Sequence, residues 1–101
     1  TFNWWIAPKT VAKIKEFDPI GSHASWMENF PWTRLEGVVL PDGEKPLFDY
    51  ARKSVLDPSE FREALGDGNY GGVYQRPDEE MMAIWEVTVA EARELMEQGW
   101  S

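Results

Sequence analysis

The last quarter of the chain most constrains the fold, because residues 77–99 carry its longest uninterrupted helical pattern. Three acidic residues follow Pro77, where they suit the positive end of a helix dipole, and Gly99 marks the end. Apolar residues recur at spacings of three and four, at Met82, Trp85, Val89, Ala92 and Met96. We therefore predict a helix to about Gln98 whose apolar face, with Trp85 in the core, packs against a sheet or another layer.

Two shorter helices are marked by local signals. Pro8 suits the first turn of a helix, where its missing N–H costs nothing, and this helix should end near Phe17. Residues 57–60 combine an N-cap aspartate, a proline and a capping-box glutamate, which predicts another helix that stops at Gly66. The chain is therefore expected to be mostly helical.

The remaining segments carry weaker patterns. Residues 2–6 form a short aromatic and apolar run that is typical of a buried strand, and residues 38–40 predict a second, brief strand. Ser22 is a suitable N-cap for a helix that Pro31 kinks or ends. Residues 36–56 are otherwise irregular, and long loops of this kind often serve function or wrap a neighbour. With two strands at most, we expect an α/β chain whose sheet is completed by other segments.

The composition argues against several classes of partner. The chain has 101 residues, enough for a single region spanning 1–101, and a formal net charge of −8 with no cluster of lysine or arginine. Nucleic acids and acidic membrane surfaces both attract such clusters, so we expect neither as a partner. No apolar stretch approaches the roughly 20 residues that cross a bilayer. The lack of cysteine removes disulfides and thiolate metal sites, and it fits a cytoplasmic protein.

The tryptophan content points to a neighbour for this chain. Six tryptophans are many for so small a core, and rings beyond its needs often line a pocket or an interface. The sequence also opens inside the apolar run 2–6, which indicates a cut rather than a natural start. We therefore expect the chain to dock on an N-terminal segment, either a separate chain or another part of its own. The alternative is that its helices close on one another as a small bundle.

The single histidine, His23, is the main candidate for chemistry. It follows Ser22 at a predicted helix start, where the helix dipole favours the neutral imidazole. A neutral histidine can accept a proton and later donate it. Glu28 lies five residues further on, with Trp26 between them. The structural alternative stays open, because a lone histidine is more often structural and Glu28 alone could be a solvated residue or bond a backbone group.

Trp4 and Trp5 lie near the end of the predicted strand 2–6. In open α/β sheets, ligands bind beyond the carboxyl ends of the strands. Because side chains alternate along a strand, we expect one of these indoles in the core and the other free to line a site. Core packing is the structural alternative.

Three other patterns do not support a site. Residues 66–71 match the spacing G-x-G-x-x-G of phosphate-binding loops, but no predicted strand leads directly into them. Asp67 would place a negative charge where the phosphate binds, and Arg76 is the only cation nearby. A tight connection before the last helix is the better interpretation. One histidine, no cysteine and no close set of carboxylates argue against a metal site within the chain. Nothing marks a nucleophile elbow, so a Ser-His-Asp triad is not expected.

Three stretches together resemble the creatininase (creatinine amidohydrolase) family. The first is the aromatic pair in residues 3–5, followed by a helix. The second, Gly-Ser-His-Ala-Ser-Trp-Met-Glu-Asn at 21–29, is similar to the family's E-H-(G/A)-x-x-x-E-(T/N) segment, with His23 and Glu28 at its histidine and second glutamate. The third begins at 65–68 and is similar to the family's G-D-P segment and last helix. The resemblance covers roughly residues 2–35 and 65–98.

This resemblance implies the C-terminal portion of a three-layer α/β/α sandwich, in assemblies that are often hexameric. It implies two divalent metals, zinc or manganese, held by motifs upstream of this chain, so that an N-terminal segment or partner chain carries the ligands. It also implies a catalytic segment with His23, which passes a proton to the leaving nitrogen, and Glu28. A tryptophan of the aromatic pair closes over the substrate. The predicted substrate-binding residues are Trp5, Trp4, Ser22 and Trp26.

One departure from the family bears on the substrate. The family residue before the histidine is usually acidic, and here it is Ser22, which argues against creatinine itself. Residues 68–80 are more similar to relatives that open rings of oxidised cyclic polyols, such as dehydro-inososes. The expected activity is the opening of a small cyclic amide, lactone or cyclic ketone by metal-activated water, with His23 as proton shuttle. The alternative is a non-catalytic subunit, used for assembly or for binding a small molecule.

Overall fold

The computed structural model describes residues 2–49 and 55–99. This part of the chain is mixed helix and sheet, in agreement with the mixed class predicted from the sequence, and most of its regular structure is helical. The α-helices are α1 (Pro8–Phe17), α2 (Pro58–Leu65) and α3 (Asp78–Gln98). The strands β1 (Glu44–Lys45) and β2 (Gly72–Val73) pair antiparallel. Single turns of 3-10 helix cover Trp4–Ile6, Trp26–Glu28 and Pro31–Thr33.

Local chemistry sets the helix ends, and three of the four predicted helices are confirmed as α-helices. α1 begins at Pro8. The Asp57 carboxylate accepts a hydrogen bond from the backbone N–H of Glu60 at 2.9 Å, which is the predicted N-cap of α2. Gly66 ends α2 at φ +84°, a backbone conformation that costs glycine little and other residues more. Gly99, also at positive φ, follows the last turn of α3.

The core is built from α1, residues 26–30 and α3. Its buried side chains are Ile14, Trp26, Met27, Phe30, Met81 and Ile84. Burying a side chain of this size contributes about 1.5–3 kcal/mol relative to leaving it in water. The segment that carries His23 joins α1 to residues 26–30, so it is anchored at both ends to the best-packed part of the described chain.

The face of α3 that packs on the core is not the predicted one. Met81, Ile84 and Thr88 are buried, whereas Trp85 is 41% exposed, so its prediction as a core residue is wrong. Both faces of α3 are apolar, and the period of a helix does not say which face meets α1. The exposed apolar side chains of the predicted stripe are Met82, Trp85, Val89 and Met96.

An aromatic stack continues this exposed apolar surface. The Trp32 ring lies on that of Phe30, with centroids 5.2 Å apart, and meets Trp85 edge-on at 4.8 Å. Trp32 is itself largely exposed. We call Trp32, Met82, Trp85, Val89 and Met96 the α3 strip. A contiguous apolar surface of this kind marks a place where another protein segment commonly packs.

The two predicted strands are absent from their predicted positions. Residues 2–6 include a turn of 3-10 helix, in which the Ile6 N–H donates to Asn3 and the Ala7 N–H donates to Trp4. Residues 38–40 carry no strand, and Val39 is 92% exposed. A strand needs a neighbouring backbone to pair with, and among the described residues the one ladder joins β1 to β2.

A carboxylate of α3 caps the start of α1. Ala7 precedes α1 and makes no side-chain cap, so the first N–H groups of the helix need another acceptor. Glu91 provides it by accepting from the Lys9 N–H at 2.7 Å and from both the N–H and the hydroxyl of Thr10 at 2.9 and 2.8 Å. Burial raises the pKa of Glu91, but these hydrogen bonds outweigh it and hold the pKa below its ordinary value of 4.5.

We expect Glu91→Ala to lower the free energy of unfolding by about 1–3 kcal/mol, because it uncaps α1 and removes the hydrogen bonds from Glu91 that join α3 to α1. The folded pKa of Glu91 is depressed, so its contribution is complete well above pH 4.5 and is lost as the pH falls through the folded pKa. Urea titrations of the full-length protein at pH 7 and pH 3.5 test both statements. The Glu91→Ala deficit should be smaller at pH 3.5.

Glu94→Ala is the matched control for this prediction. Glu94 lies on the same helix and pairs with the Lys9 ammonium at 2.5 Å, on the surface. An exposed ion pair of this kind is worth about 0–1 kcal/mol. Equal losses from Glu91→Ala and Glu94→Ala would show that Glu91 is not the cap of α1.

Candidate functional site

A cleft of about 590 Å³ brings together five of the six residues proposed for the site. The first 3-10 turn, one face of α1 and residues 21–28 form its walls, and Tyr70 closes one side. The five residues are Trp4, Trp5, Ser22, His23 and Glu28. They come from two segments that α1 separates in sequence. The cleft therefore offers an imidazole, a carboxylate and two indoles to one ligand.

The segment that carries His23 is a turn, and the predicted helix from Ser22 to Phe30 is wrong. The Ser25 hydroxyl accepts from the Ser22 N–H at 3.0 Å and donates to the Ser22 carbonyl at 2.6 Å. The second bond occupies the Ser22 carbonyl, which would accept the first backbone bond of a helix, and this is how serine competes with helix formation. Ala24 then lies at φ +59°, in the left-handed region. The turn presents the imidazole of His23 at the surface.

His23 lies against an aromatic ring and a carboxylate. Its ring meets Tyr70 edge-on, with centroids 4.8 Å apart, and the Tyr70 N–H donates to the His23 carbonyl at 2.9 Å. Nδ1 of His23 is 3.6 Å from Oε2 of Glu28, a distance too long for a hydrogen bond but short for a charge interaction. The imidazole is 61% exposed. It can therefore exchange protons with a molecule in the cleft.

Glu28 fixes the turn on which His23 lies. Its Oε2 atom accepts a short hydrogen bond from the backbone N–H of Ala24. The same carboxylate faces the imidazole, so it holds the backbone and attracts an imidazolium with one group. Of the alternatives considered for Glu28, bonding to a backbone group is the one the structure contains.

The two tryptophans of the first turn have different environments. Trp4 packs edge-on against Phe30, with centroids 5.8 Å apart, and lies against the core. Trp5 meets Trp4 at 6.0 Å and is 48% exposed. Trp4 is therefore partly buried against the core and Trp5 is exposed, but both line the cleft, and the turn that carries them is a 3-10 helix and not the predicted strand. Trp5 is free to pack on a ligand.

Trp26 is a core residue, and its assignment to substrate binding is not supported by its position. The side chain is fully buried and lies outside the lining of the cleft. Its indole N–H donates to Oδ2 of Asp18 at 3.0 Å, and the guanidinium of Arg76 lies over its ring at 5.3 Å. Trp26 thus supports the cleft from behind, since its ring fills the space beside Gly21.

Among the lining residues that the sequence did not suggest, two have polar side-chain groups, Lys15 and Tyr70. Lys15 follows Val11 and Ile14 at the spacing of one helix face, so a helical projection of α1 could have placed all three together. Tyr70 comes from the glycine-rich segment, and no local pattern relates it to His23.

The glycine-rich segment 66–72 is a connection between α2 and β2 that side-chain contacts of Asp67 hold in place. Asp67 pairs with Lys45 at 2.6 Å and accepts a hydrogen bond from the Tyr74 hydroxyl. These two contacts, of which the one with Lys45 has the larger effect, hold the pKa of the Asp67 carboxyl at about 2. The prediction that Arg76 is the only cation nearby is wrong, since Lys45 fills that role and Arg76 pairs with Glu80. The prediction of a tight connection agrees with the structure.

The described residues do not form a site for a divalent metal. Within residues 2–49 and 55–99, no group of three or more histidine, cysteine, aspartate or glutamate side chains lies close enough together to hold an ion. His23 and Glu28 supply two possible metal ligands, and Glu28 is already bonded to Ala24.

No described helix is both long enough and apolar enough to cross a bilayer.

No family model matches this chain, and searches of curated proteins and of solved structures likewise found no match.

Proposed function

We propose that this chain is part of a metal-dependent hydrolase of the creatininase type, which opens a small cyclic amide, lactone or cyclic ketone. The observation that carries the proposal is the position of His23 beside Glu28 in a cleft with Trp4 and Trp5. These are the residues that the family resemblance assigns to proton transfer and to closure over the substrate. A cleft lined by aromatic and apolar side chains together with a small set of polar groups is the usual form of a small-molecule site.

In this proposal His23 moves the proton. The carboxylate of Glu28 is 3.6 Å from Nδ1, and it attracts the imidazolium that forms when His23 takes a proton from the attacking water at its other nitrogen. The imidazolium then donates that proton to the atom that is released when the ring opens, which is a nitrogen in an amide, an oxygen in a lactone and the α-carbon in a cyclic ketone. Edge-on contact with Tyr70 keeps the imidazole plane fixed during both steps.

The metal belongs, in this proposal, to another segment. A bound zinc or manganese ion supplies activated water in hydrolases of this type. Since the described residues do not form a site for it, we assign the ligands to an N-terminal segment or a partner chain, and the complete unit to a three-layer sandwich in a homo-oligomer. The exposed α3 strip, with Trp32 and Trp85, supports a covering neighbour. We assign the assembly to the cytoplasm.

A second function is a non-catalytic binding or assembly module of the same fold. The observation in its favour is that the described chain holds an aromatic cleft without a metal site of its own. In that case His23 and Glu28 would bind a small molecule without opening it. The two functions differ in turnover and not in binding.

The experiment is a ring-opening assay of the full-length protein. We expect hydrolysis of a member of a panel that contains hydantoin, glucono-δ-lactone and 1,3-cyclohexanedione. Dialysis against EDTA should abolish the activity, and zinc or manganese should restore it, because the water nucleophile needs the ion. Binding without turnover, with either metal present, would favour the non-catalytic module. Turnover that survives complete removal of metal would contradict the proposed hydrolase.

A further inference from the structure

Among the described residues, one cation of the cleft has no carboxylate partner. Eight lysines and arginines lie in residues 2–49 and 55–99, and six of them pair with carboxylates in a chain where acids outnumber bases by 18 to 10. The two without an ion pair in this part of the chain are Lys15 and Arg62. Of these, Lys15 lines the cleft with His23.

The position of Lys15 on α1 directs it to the cleft. Val11, Ile14 and Lys15 all line the cleft, at the spacing of one helix face. Ile14 is buried and Lys15 is exposed, so the ammonium can reach a molecule that lies on the apolar wall. Lys15 is also in the last turn of α1, where a cation suits the negative end of the helix dipole. The helix therefore stabilises the charge at this place without a partner of its own.

The charges in the cleft leave Lys15 available to an anion. The other ionic groups that line it are His23 and Glu28. The Glu28 carboxylate accepts a hydrogen bond from the Ala24 N–H and lies near the imidazole of His23. Its charge is therefore directed to residues 23 and 24 and not to Lys15. The flat walls are the indoles of Trp4 and Trp5. One ammonium and two flat rings fit a ligand with one negative charge and one ring.

We propose that the cleft takes a small ring compound that bears a carboxylate, with the carboxylate on the Lys15 ammonium and the ring against Trp5. This inference rests on the proposed function, because it names the substrate class of the same site. A single ammonium matches the single charge of a carboxylate, and the apolar wall formed by Val11 and Ile14 offers a surface for the rest of the ligand beside that charge. The ring to be opened then lies beside His23.

A matched pair of probes tests the proposal on the full-length protein. Hydantoin-5-acetic acid carries the carboxylate, and hydantoin-5-acetamide is its neutral analogue of nearly the same shape. By calorimetric titration we expect the acid to bind about tenfold more tightly than the amide, the usual scale of one favourable charge contact. Lys15→Gln should remove this preference and leave the amide affinity unchanged. Arg62→Gln, which removes the second cation without an ion pair among the described residues, lies on α2 and should leave the preference intact.

Other results would overturn the proposal. Equal affinity for acid and amide, or no binding of either at millimolar concentration, means that the cleft does not select a carboxylate. If Lys15→Gln lowers the free energy of unfolding and leaves the acid affinity unchanged, Lys15 pairs with a carboxylate of the protein itself. The variant His23→Ala separates this inference from the proposed function. If it keeps the preference for the acid and also keeps turnover, the proposed function alone is wrong. If turnover falls and the wild type shows no preference, this inference alone is wrong.

Discussion

Replacing His23 by alanine should lower the turnover number of the full-length protein by roughly 10²–10⁴-fold, the usual contribution of a positioned acid–base group. The free energy of unfolding should change by less than about 0.5 kcal/mol. The imidazole is mostly exposed, and its described contacts are the ring of Tyr70 and the carboxylate of Glu28. Steady-state kinetics and urea titration of the same preparation measure the two quantities.

Added imidazole distinguishes catalysis from a structural role. His23→Ala leaves space in a cleft of about 590 Å³, so free imidazole can enter and take over the proton transfer. We expect it to restore part of the turnover of His23→Ala and to leave the wild type unaffected. Near-normal activity of His23→Ala without imidazole would exclude the assigned role. A loss of activity that imidazole does not restore, together with a lower stability, would assign His23 to the structure of the turn.

The parts of the fold that follow from the sequence are those set by local chemistry. Pro8, the N-cap Asp57 and Gly66 act within one turn of the helix that they begin or end, so the bounds of α1 and α2 could be predicted. The turn around His23 could not be predicted, because serine is a favourable N-cap residue and Ser22 therefore indicated a helix. In the structure the Ser25 hydroxyl occupies the Ser22 carbonyl, and Ala24 lies at φ +59°, a conformation outside the α-helix.

Longer-range packing explains the remaining differences. Trp85 and Ile84 are neighbours on α3, and both lie on apolar faces that the helical period allows. The face that is buried is the one that meets α1, which a single sequence does not specify. Tyr70 lies against His23 because the ion pair between Asp67 and Lys45 fixes the connection that carries Tyr70. Asp67 and Lys45 are 22 positions apart in the sequence. The tryptophans and the histidine of the cleft could therefore be predicted from the sequence. The side that Tyr70 closes could not.

Trp26→Phe should cause the largest loss of stability among the substitutions considered, about 2–4 kcal/mol of the free energy of unfolding. The indole is fully buried, and its N–H donates to the buried carboxylate of Asp18 at 3.0 Å. Phenylalanine removes that donor, and a buried charged acceptor that loses a hydrogen bond costs about 1.5–3 kcal/mol. The smaller ring adds the cost of a void, and it weakens the contact with the Arg76 guanidinium.

Urea titration of the full-length protein with Trp26→Phe, Trp5→Phe and Asp18→Asn tests this account. Trp5→Phe is the matched control, since it makes the same change at a half-exposed indole and should stay within about 0.5 kcal/mol of the wild type. Asp18→Asn retains an acceptor but lowers its charge, so Trp26→Phe should cost less in that background than in the wild type. The difference, a double-mutant cycle, should be about 1 kcal/mol or more. Equal losses from Trp26→Phe and Trp5→Phe, or additive losses with Asp18→Asn, would show that the bond to Asp18 does not hold the wall of the cleft in place.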